Sequence, residues 1–160
     1  MPLHPPLRVL AACVLAGLAF LLAACASTKP RDLTPVGVLD VRFVEVNPAP
    51  GVEVEEFAYK EVRQPLGPAH TFGLSEVGVS TDGLGRPALY FRIQEQQAAD
   101  FRALTESSIG RSMAMLVDDE IITIATVNSV LPGSGQIEGE FDLVYVEGLI
   151  ASITGDVLTD

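Results

Sequence analysis

From Val9 to Ala26 the chain is an apolar run of Val, Leu, Ala, Phe and Cys, interrupted only by Gly17, and no charged side chain falls between Arg8 and Lys29. The run is too short and too rich in alanine for a permanent membrane span, which needs about 20 predominantly apolar residues. Its layout is that of a secretory signal: a short start with Arg8 as its fixed side-chain charge, crowded by Pro2, Pro5 and Pro6, then an apolar core, then small residues. Residues 1–24 are therefore set aside from the fold. The overall hydrophobic content of 48% overstates the apolarity of what remains of the 160 residues, which is one domain's worth of chain.

The end of this run is its most specific part. Leu22-Ala23-Ala24-Cys25 resembles the lipobox of bacterial lipoproteins, in which a leucine and two small residues precede a cysteine whose sulfur takes up diacylglycerol. The resemblance implies that Cys25 becomes the acylated first residue of the mature chain, with the lipid bilayer as its partner. The competing reading is an ordinary cleaved signal, cut near Ala24 or Ala26, with Cys25 incidental. Ala26 and Ser27 follow the cysteine where an inner-membrane lipoprotein would carry Asp, so the same resemblance favours the outer membrane and a domain facing the periplasm. Residues 25–35 form a lipidated tether: Ser27 to Pro35 is polar and contains Pro30 and Pro35.

This assignment bounds the chemistry. Cys13 leaves with the signal and Cys25 carries the lipid, so no disulfide and no thiolate metal site is expected. Arg8 also leaves, so the remainder carries nine of the ten basic residues against all 21 acidic ones, a net charge of −12. Such acidity favours solubility and excludes nucleic acid or anionic lipid as a partner of the domain body. The acyl chain would hold the domain to the membrane.

Val36 to Val46 is rich in β-branched residues and predicts a strand, ended by Asn47-Pro48-Ala49-Pro50-Gly51. Val52 to Val62 is acidic and reads as an edge strand or a loop, and Pro65, Gly67 and Pro68 mark a further irregular stretch. Leu74 to Ser80 predicts a short strand and Thr81-Asp82-Gly83-Leu84-Gly85 a turn. In Ala88 to Ile93, Leu89, Phe91 and Ile93 alternate with Ala88, Tyr90 and Arg92, the cleanest strand pattern in the chain.

A helix is expected over Glu95 to Ile109, with Ala98, Phe101 and Leu104 on one face and Gly110 as its cap. Ser112–Val117 and Ile121–Val127 should pair as a hairpin about the charged turn Asp118-Asp119-Glu120. The Leu131–Gly135 loop then leads to a brief strand at Gln136-Ile137-Glu138. A last helix should start at Asp142, place Phe141, Tyr145 and Leu149 four apart, and stop at Gly155. The fold class is α+β: a largely antiparallel sheet with two helices packed on one face.

The residues offer little to an enzyme. His70 is the single histidine after the signal and lies in a Pro/Gly-rich loop, where an exposed loop histidine outweighs a catalytic one. No Gly-x-Ser-x-Gly elbow appears, and one histidine is too few for the usual zinc sites. Asp118, Asp119 and Glu120 could offer oxygens to Ca²⁺, but they lack the ligand spacing and read better as a solvated turn. Glu53, Glu55 and Glu56 read as a solvated edge. Gly133-Ser134-Gly135 lacks the Lys-Ser/Thr of a phosphate loop. No catalytic, cofactor-binding or metal-binding residue is assigned, and the site assigned from sequence is Cys25.

From Leu89 to about Leu158 the chain resembles the head subdomain of the first periplasmic domain of the SecD/SecDF protein-export family. The residues that carry this are Phe101-Arg102-Ala103-Leu104-Thr105, Ile109 through Asp118, and Gly133-Ser134-Gly135-Gln136-Ile137-Glu138-Gly139-Glu140-Phe141. The family pattern is a helix ending in Leu-Thr, a Val-Gly-Lys/Arg entry to an apolar strand, a glycine loop, Ile-x-Gly-x-Phe and a second helix. Asp119 replaces the usual turn glycine, and Pro132-Gly133 replaces a double glycine. Residues 72–160 are accordingly assigned as a SecD head-like α+β domain, with 36–71 as an N-terminal strand and irregular segment of the same domain. The resemblance implies a lipid-tethered, non-enzymatic module that binds envelope proteins or unfolded polypeptide, accessory to export or envelope assembly. A structural subunit of an envelope complex is the alternative, and an enzyme with an unrecognised site the least favoured.

Overall fold

The structure, a computed structural model, describes residues 36–155. The signal segment 1–24, Cys25 and the tether to Pro35 lie outside the described residues, as do residues 156–160. The elements are β1 (Gly37–Phe43), β2 (Glu55–Tyr59), β3 (Val62–Leu66), β4 (His70–Thr81), β5 (Pro87–Ile93), α1 (Glu95–Ser107), β6 (Ser112–Val117), β7 (Glu120–Thr126), β8 (Ser134–Ile137) and α2 (Leu143–Thr154). Six strands make one antiparallel sheet in the order β7-β6-β1-β4-β5-β8, and β2 and β3 form a separate hairpin.

Strand alternation explains the main core. Leu39, Val41 and Phe43 of β1, Leu89, Phe91 and Ile93 of β5, and Met113, Met115 and Val117 of β6 share one cluster with Phe101 of α1 and Val146, Leu149 and Ile153 of α2. Both helices thus lie on one face, and the α+β class expected from the sequence is the one found. Phe101 is fully buried and meets Phe72 and Phe91 edge-on, at centroid distances of 5.1 and 6.2 Å. Burial of such a ring stabilises by about 1.5–3 kcal/mol, and each edge-to-face pair adds about 0.5–1.5 kcal/mol.

Among the described residues, the opposite face is covered at the β6–β7 end. Ala114 and Leu116 of β6 join Leu66 and Ile121 in a second cluster, roofed by Val44, Phe57, Tyr59 and Ile124. The β2–β3 hairpin is this roof. It stands where the sequence left Val52–Val62 open between edge strand and loop, and where it placed an irregular stretch around Pro65. Two physical facts hide it. Its turn residues Lys60 and Glu61 adopt φ of +46° and +66° without the Asn or Gly that such turns favour. Pro65 pairs with Glu56 at a position where the hairpin makes no ladder bond, counting from the closing Tyr59–Val62 pair, so its missing N–H costs nothing there.

Other differences are local. β4 begins at His70 rather than Leu74, and a register shift between Leu74 and Glu76 lets its first half pair with β1 and its second half with β5. Where β5 no longer accompanies Gly73, the start of α1 replaces it: Gly73 N–H donates to Gln97 Oε1 at 2.6 Å, and Gln94 N–H to Gly73 O at 2.8 Å. β8 starts at Ser134, within the expected loop. Regular α1 ends at Ser107 rather than Ile109, and Gly110, with φ +87°, turns the chain into β6.

Helix α2 has the expected caps. Asp142 accepts the Tyr145 N–H at 2.7 Å, and Gly155 is left-handed. Its buried stripe is Val146, Leu149 and Ile153 rather than a stripe through Tyr145, because the helix faces the sheet along its C-terminal half. Its first turn is left with Leu143, Val144 and Tyr145 exposed.

Candidate functional site

Of the acidic and histidine residues singled out from sequence, His70 and Glu53 come to one cleft, while the Asp118–Asp119 turn stands apart from it. His70 is exposed at the head of β4, edge-on to Phe43 at 6.2 Å, in an open cleft of about 520 Å³ with Glu45, Glu53 and Arg111. Arg111 is committed to Glu45 as an ion pair and lies over the Phe43 ring at 4.5 Å. None of the side chains lining this cleft carries a hydroxyl or thiol, so His70 has no nucleophile to activate there. Asp118 and Asp119 form a two-residue turn with φ of +48° and +63°, and Asp118 accepts a hydrogen bond from Ser152 of α2. The turn is thus a latch between hairpin and helix. Among the described residues, no three His, Cys, Asp or Glu side chains are grouped to hold a metal ion. Glu55 reaches Arg42 at 3.1 Å, while Glu53 lines the His70 cleft and Glu56 is exposed. Cys25 lies outside the described residues.

A different place brings side chains together from three separate stretches of chain. A groove of about 360 Å³ runs beside the first residues of β7, between Tyr59 and Lys60 of the hairpin turn on one side and Phe141 and Tyr145 on the other. Glu120 to Thr123 and Glu138, Gly139 and Glu140 complete its lining. The loop that carries Phe141 is fixed by the Ile-x-Gly-x-Phe pattern. Ile137 is buried in the main core, Phe141 packs against that core, and the Phe141 ring fills the space beside Gly139, where a Cβ would come within 2.6 Å. Phe141 stacks obliquely on Tyr145, with centroids 5.2 Å apart.

The groove is aromatic and negative. Tyr59, Phe141 and Tyr145 face three carboxylates, from Glu120, Glu138 and Glu140, with Lys60 as the cation. Lys60 lies 5.5 Å from the Tyr59 ring. The phenol of Tyr145 is held above its ordinary value by burial first, then by the charge of Glu120 and by Tyr59. The sequence does not announce this site, because Tyr59 lies in a stretch that reads as edge strand or loop and the spacing of Phe141, Tyr145 and Leu149 says nothing of what stands opposite them.

The family model for the SecDF P1 head subdomain matches residues 70–159, more than half of the chain. The chain belongs to the SecDF P1 head family. The matched residues contain β4 to β8 and both helices, while central strand β1 and the β2–β3 hairpin precede them. The groove of this SecDF head therefore has one wall within the matched family region and one before it.

Comparisons with individual proteins agree. The chain is 34% identical over 97 residues to the protein translocase subunit SecD of Leptotrichia buccalis, covering 59% of this chain and 24% of that one. It is 33% identical over 63 residues to SecD of Aquifex aeolicus, covering 39% and 13%. The chain thus spans about a quarter or less of the curated relatives it matches. Among solved structures it is similar in fold to a crystal structure of SecDF in the super-membrane-facing form, with a TM-score of 0.56 and 22% identity over 76% of this chain and 19% of that one. It is also similar to a SecDF structure described as a membrane component that enhances protein export, with a TM-score of 0.57 and 17% identity over 95% of this chain and 71% of that one.

Proposed function

We propose that this SecDF head is a non-enzymatic polypeptide-binding module of the cell envelope, accessory to protein export and held to a membrane by an acyl chain on Cys25. The observation that carries the binding reading is the aromatic, acidic groove beside β7, a strand at the edge of the sheet. An unpaired strand edge offers backbone hydrogen bonds to any extended chain, and neighbouring pockets take its side chains. The family supports the same direction, since a SecDF relative is described as enhancing protein export. Among the described residues, the His70 cleft is lined by no hydroxyl or thiol side chain, which supports binding over catalysis there. The sequence Leu22-Ala23-Ala24-Cys25 supports the anchor, and Ala26-Ser27 favours the outer membrane with the domain facing the periplasm.

Crosslinking in intact cells followed by mass spectrometry tests the binding reading. Capture of a varied set of envelope or secreted chains supports it; capture of one stoichiometric protein supports a structural subunit instead, and capture of nothing removes the reading. For the anchor, Cys25→Ser should abolish lipid labelling and leave an unprocessed precursor. Persistent labelling contradicts the assignment.

A further inference from the structure

β7 pairs with β6 and is the edge strand of the sheet among the described residues. Its hydrogen-bonding direction can be read from its last turn: Val127 N–H donates to Arg111 O at 2.9 Å, and Val127 O accepts from Gly110 N–H at 2.8 Å. Backbone groups alternate in direction along an antiparallel strand, so those of Ile124 and Thr126 point away from β6, to the open side. Ala125 and Thr126 are exposed. The register shift opposite Met115 and Leu116 makes Ile122 an extra residue in β7. Its side chain goes into the main core while Ile121 goes into the second cluster. The bulge therefore lies where the groove over Glu120 to Thr123 gives way to a short pairable stretch, Ile124 to Thr126.

Edge strands are commonly blunted by Lys, Pro or an inward charge. Between Ile121 and Thr126 this edge carries no Lys, no Pro and no charge; its one protective device is the bulge at Ile122, which lies before the stretch Ile124 to Thr126. Instead the exposed apolar residues Leu143 and Val144, at 48% and 76% exposure, lie one turn or less from Tyr145 at the groove wall. The groove sets three carboxylates against one amine, which selects a cationic occupant. A second copy of the chain is disfavoured, because both copies would bring acidic grooves and a net charge of −11 together.

We infer that the β7 edge and the adjoining groove form one docking slot for an extended polypeptide segment bearing Lys or Arg. The segment pairs with Ile124 and Thr126, places apolar side chains against Tyr59, Phe141 and Tyr145, and sets its cations beside Glu120, Glu138 and Glu140. This rests on the polypeptide-binding reading and adds the site and the chemistry of the bound segment.

The test uses the full chain and three labelled peptides of about ten residues: alternating Val and Lys, alternating Val and Glu, and the Val-Lys peptide N-methylated at every amide, which removes the donors from both of its edges. Fluorescence anisotropy should show saturable binding of the Val-Lys peptide and at least ~10-fold weaker binding of the other two, the scale of one lost hydrogen bond or one lost charge contact. Thr126→Pro removes an outward N–H that β6 does not use, and should weaken the Val-Lys peptide by a similar ~10-fold. Glu120→Gln with Glu138→Gln and Glu140→Gln should bring the Val-Lys and Val-Glu peptides to similar affinity. Equal binding of the N-methylated peptide overturns the slot even if Thr126→Pro fails to fold. Tight peptide binding that ignores all these changes places the polypeptide site elsewhere and overturns the slot alone. Absence of any peptide binding overturns both this inference and the binding reading beneath it. A dimer that Thr126→Pro converts to monomer assigns the edge to a second copy and overturns the slot.

Discussion

The carbonyl oxygen of Ile153 lies where a side chain on Gly37 would have to be: a Cβ there would stand 2.1 Å from it. Helix α2 therefore rests its last turn directly on the backbone of β1, the strand between β6 and β4. The obstacle is a carbonyl rather than the end of a flexible side chain, so the helix must lift to accept a methyl group. Gly37→Ala should destabilise the domain by about 1–3 kcal/mol, as overpacked cores do. Chemical denaturation followed by circular dichroism measures this, and an unchanged midpoint would show that α2 does not sit as described.

The second glycine relationship belongs to the groove. Gly139→Ala puts a Cβ within 2.6 Å of the Phe141 ring, which must then swing away from Ile137 and Tyr145. Because Phe141 is only partly buried, the stability loss should be modest, about 1 kcal/mol, while the groove wall changes shape. The ring signals of Phe141 and Tyr145 in NMR should shift strongly while those of Phe72 and Phe101 stay in place. Equal shifts in both sets would mean that the loop is not an independent wall.

The α1 core and the caps were legible from sequence because local pattern and tertiary role coincide there. Leu89, Phe91 and Ile93 alternate in sequence and are all buried, and Asp142 and Gly155 cap α2 by their own side-chain and backbone chemistry. The continuous apolar run Met113 to Val117 was legible as a strand, but its meaning was not. It is apolar on both sides because helices cover one face and the β2–β3 hairpin the other. That hairpin escaped notice because Lys60 and Glu61 take left-handed angles that their identities do not announce. The groove was illegible for a related reason: it joins Tyr59, Glu120 and Tyr145, whose proximity exists only after the sheet has formed.

The turn at Asp82 gives a pH-dependent expectation. Its carboxylate accepts from the Arg86 N–H at 2.8 Å, the Leu84 N–H at 2.8 Å and Arg86 Nε at 2.7 Å. These bonds, the Arg86 backbone bond foremost, hold its carboxyl below the ordinary value of 3.8 despite opposing burial. A carboxylate depressed on folding contributes stability that is present above its unfolded value and lost as pH falls through the folded one. Asp82→Asn keeps an acceptor oxygen but loses the charge. It should melt below the parent at pH 7, and the gap should close progressively below about pH 4. A gap independent of pH would show that the charge contributes nothing.

The central claim is that this SecDF head binds extended polypeptide at the β7 groove. The most direct measurement is site-specific photocrosslinking in intact cells, with the photoreactive residue placed at Tyr59 in one strain and at Glu76, on β4 away from the groove, in another. The account predicts a broad ladder of polypeptide adducts from position 59 and few from position 76. Equal yields at both positions, or none at either, would contradict it.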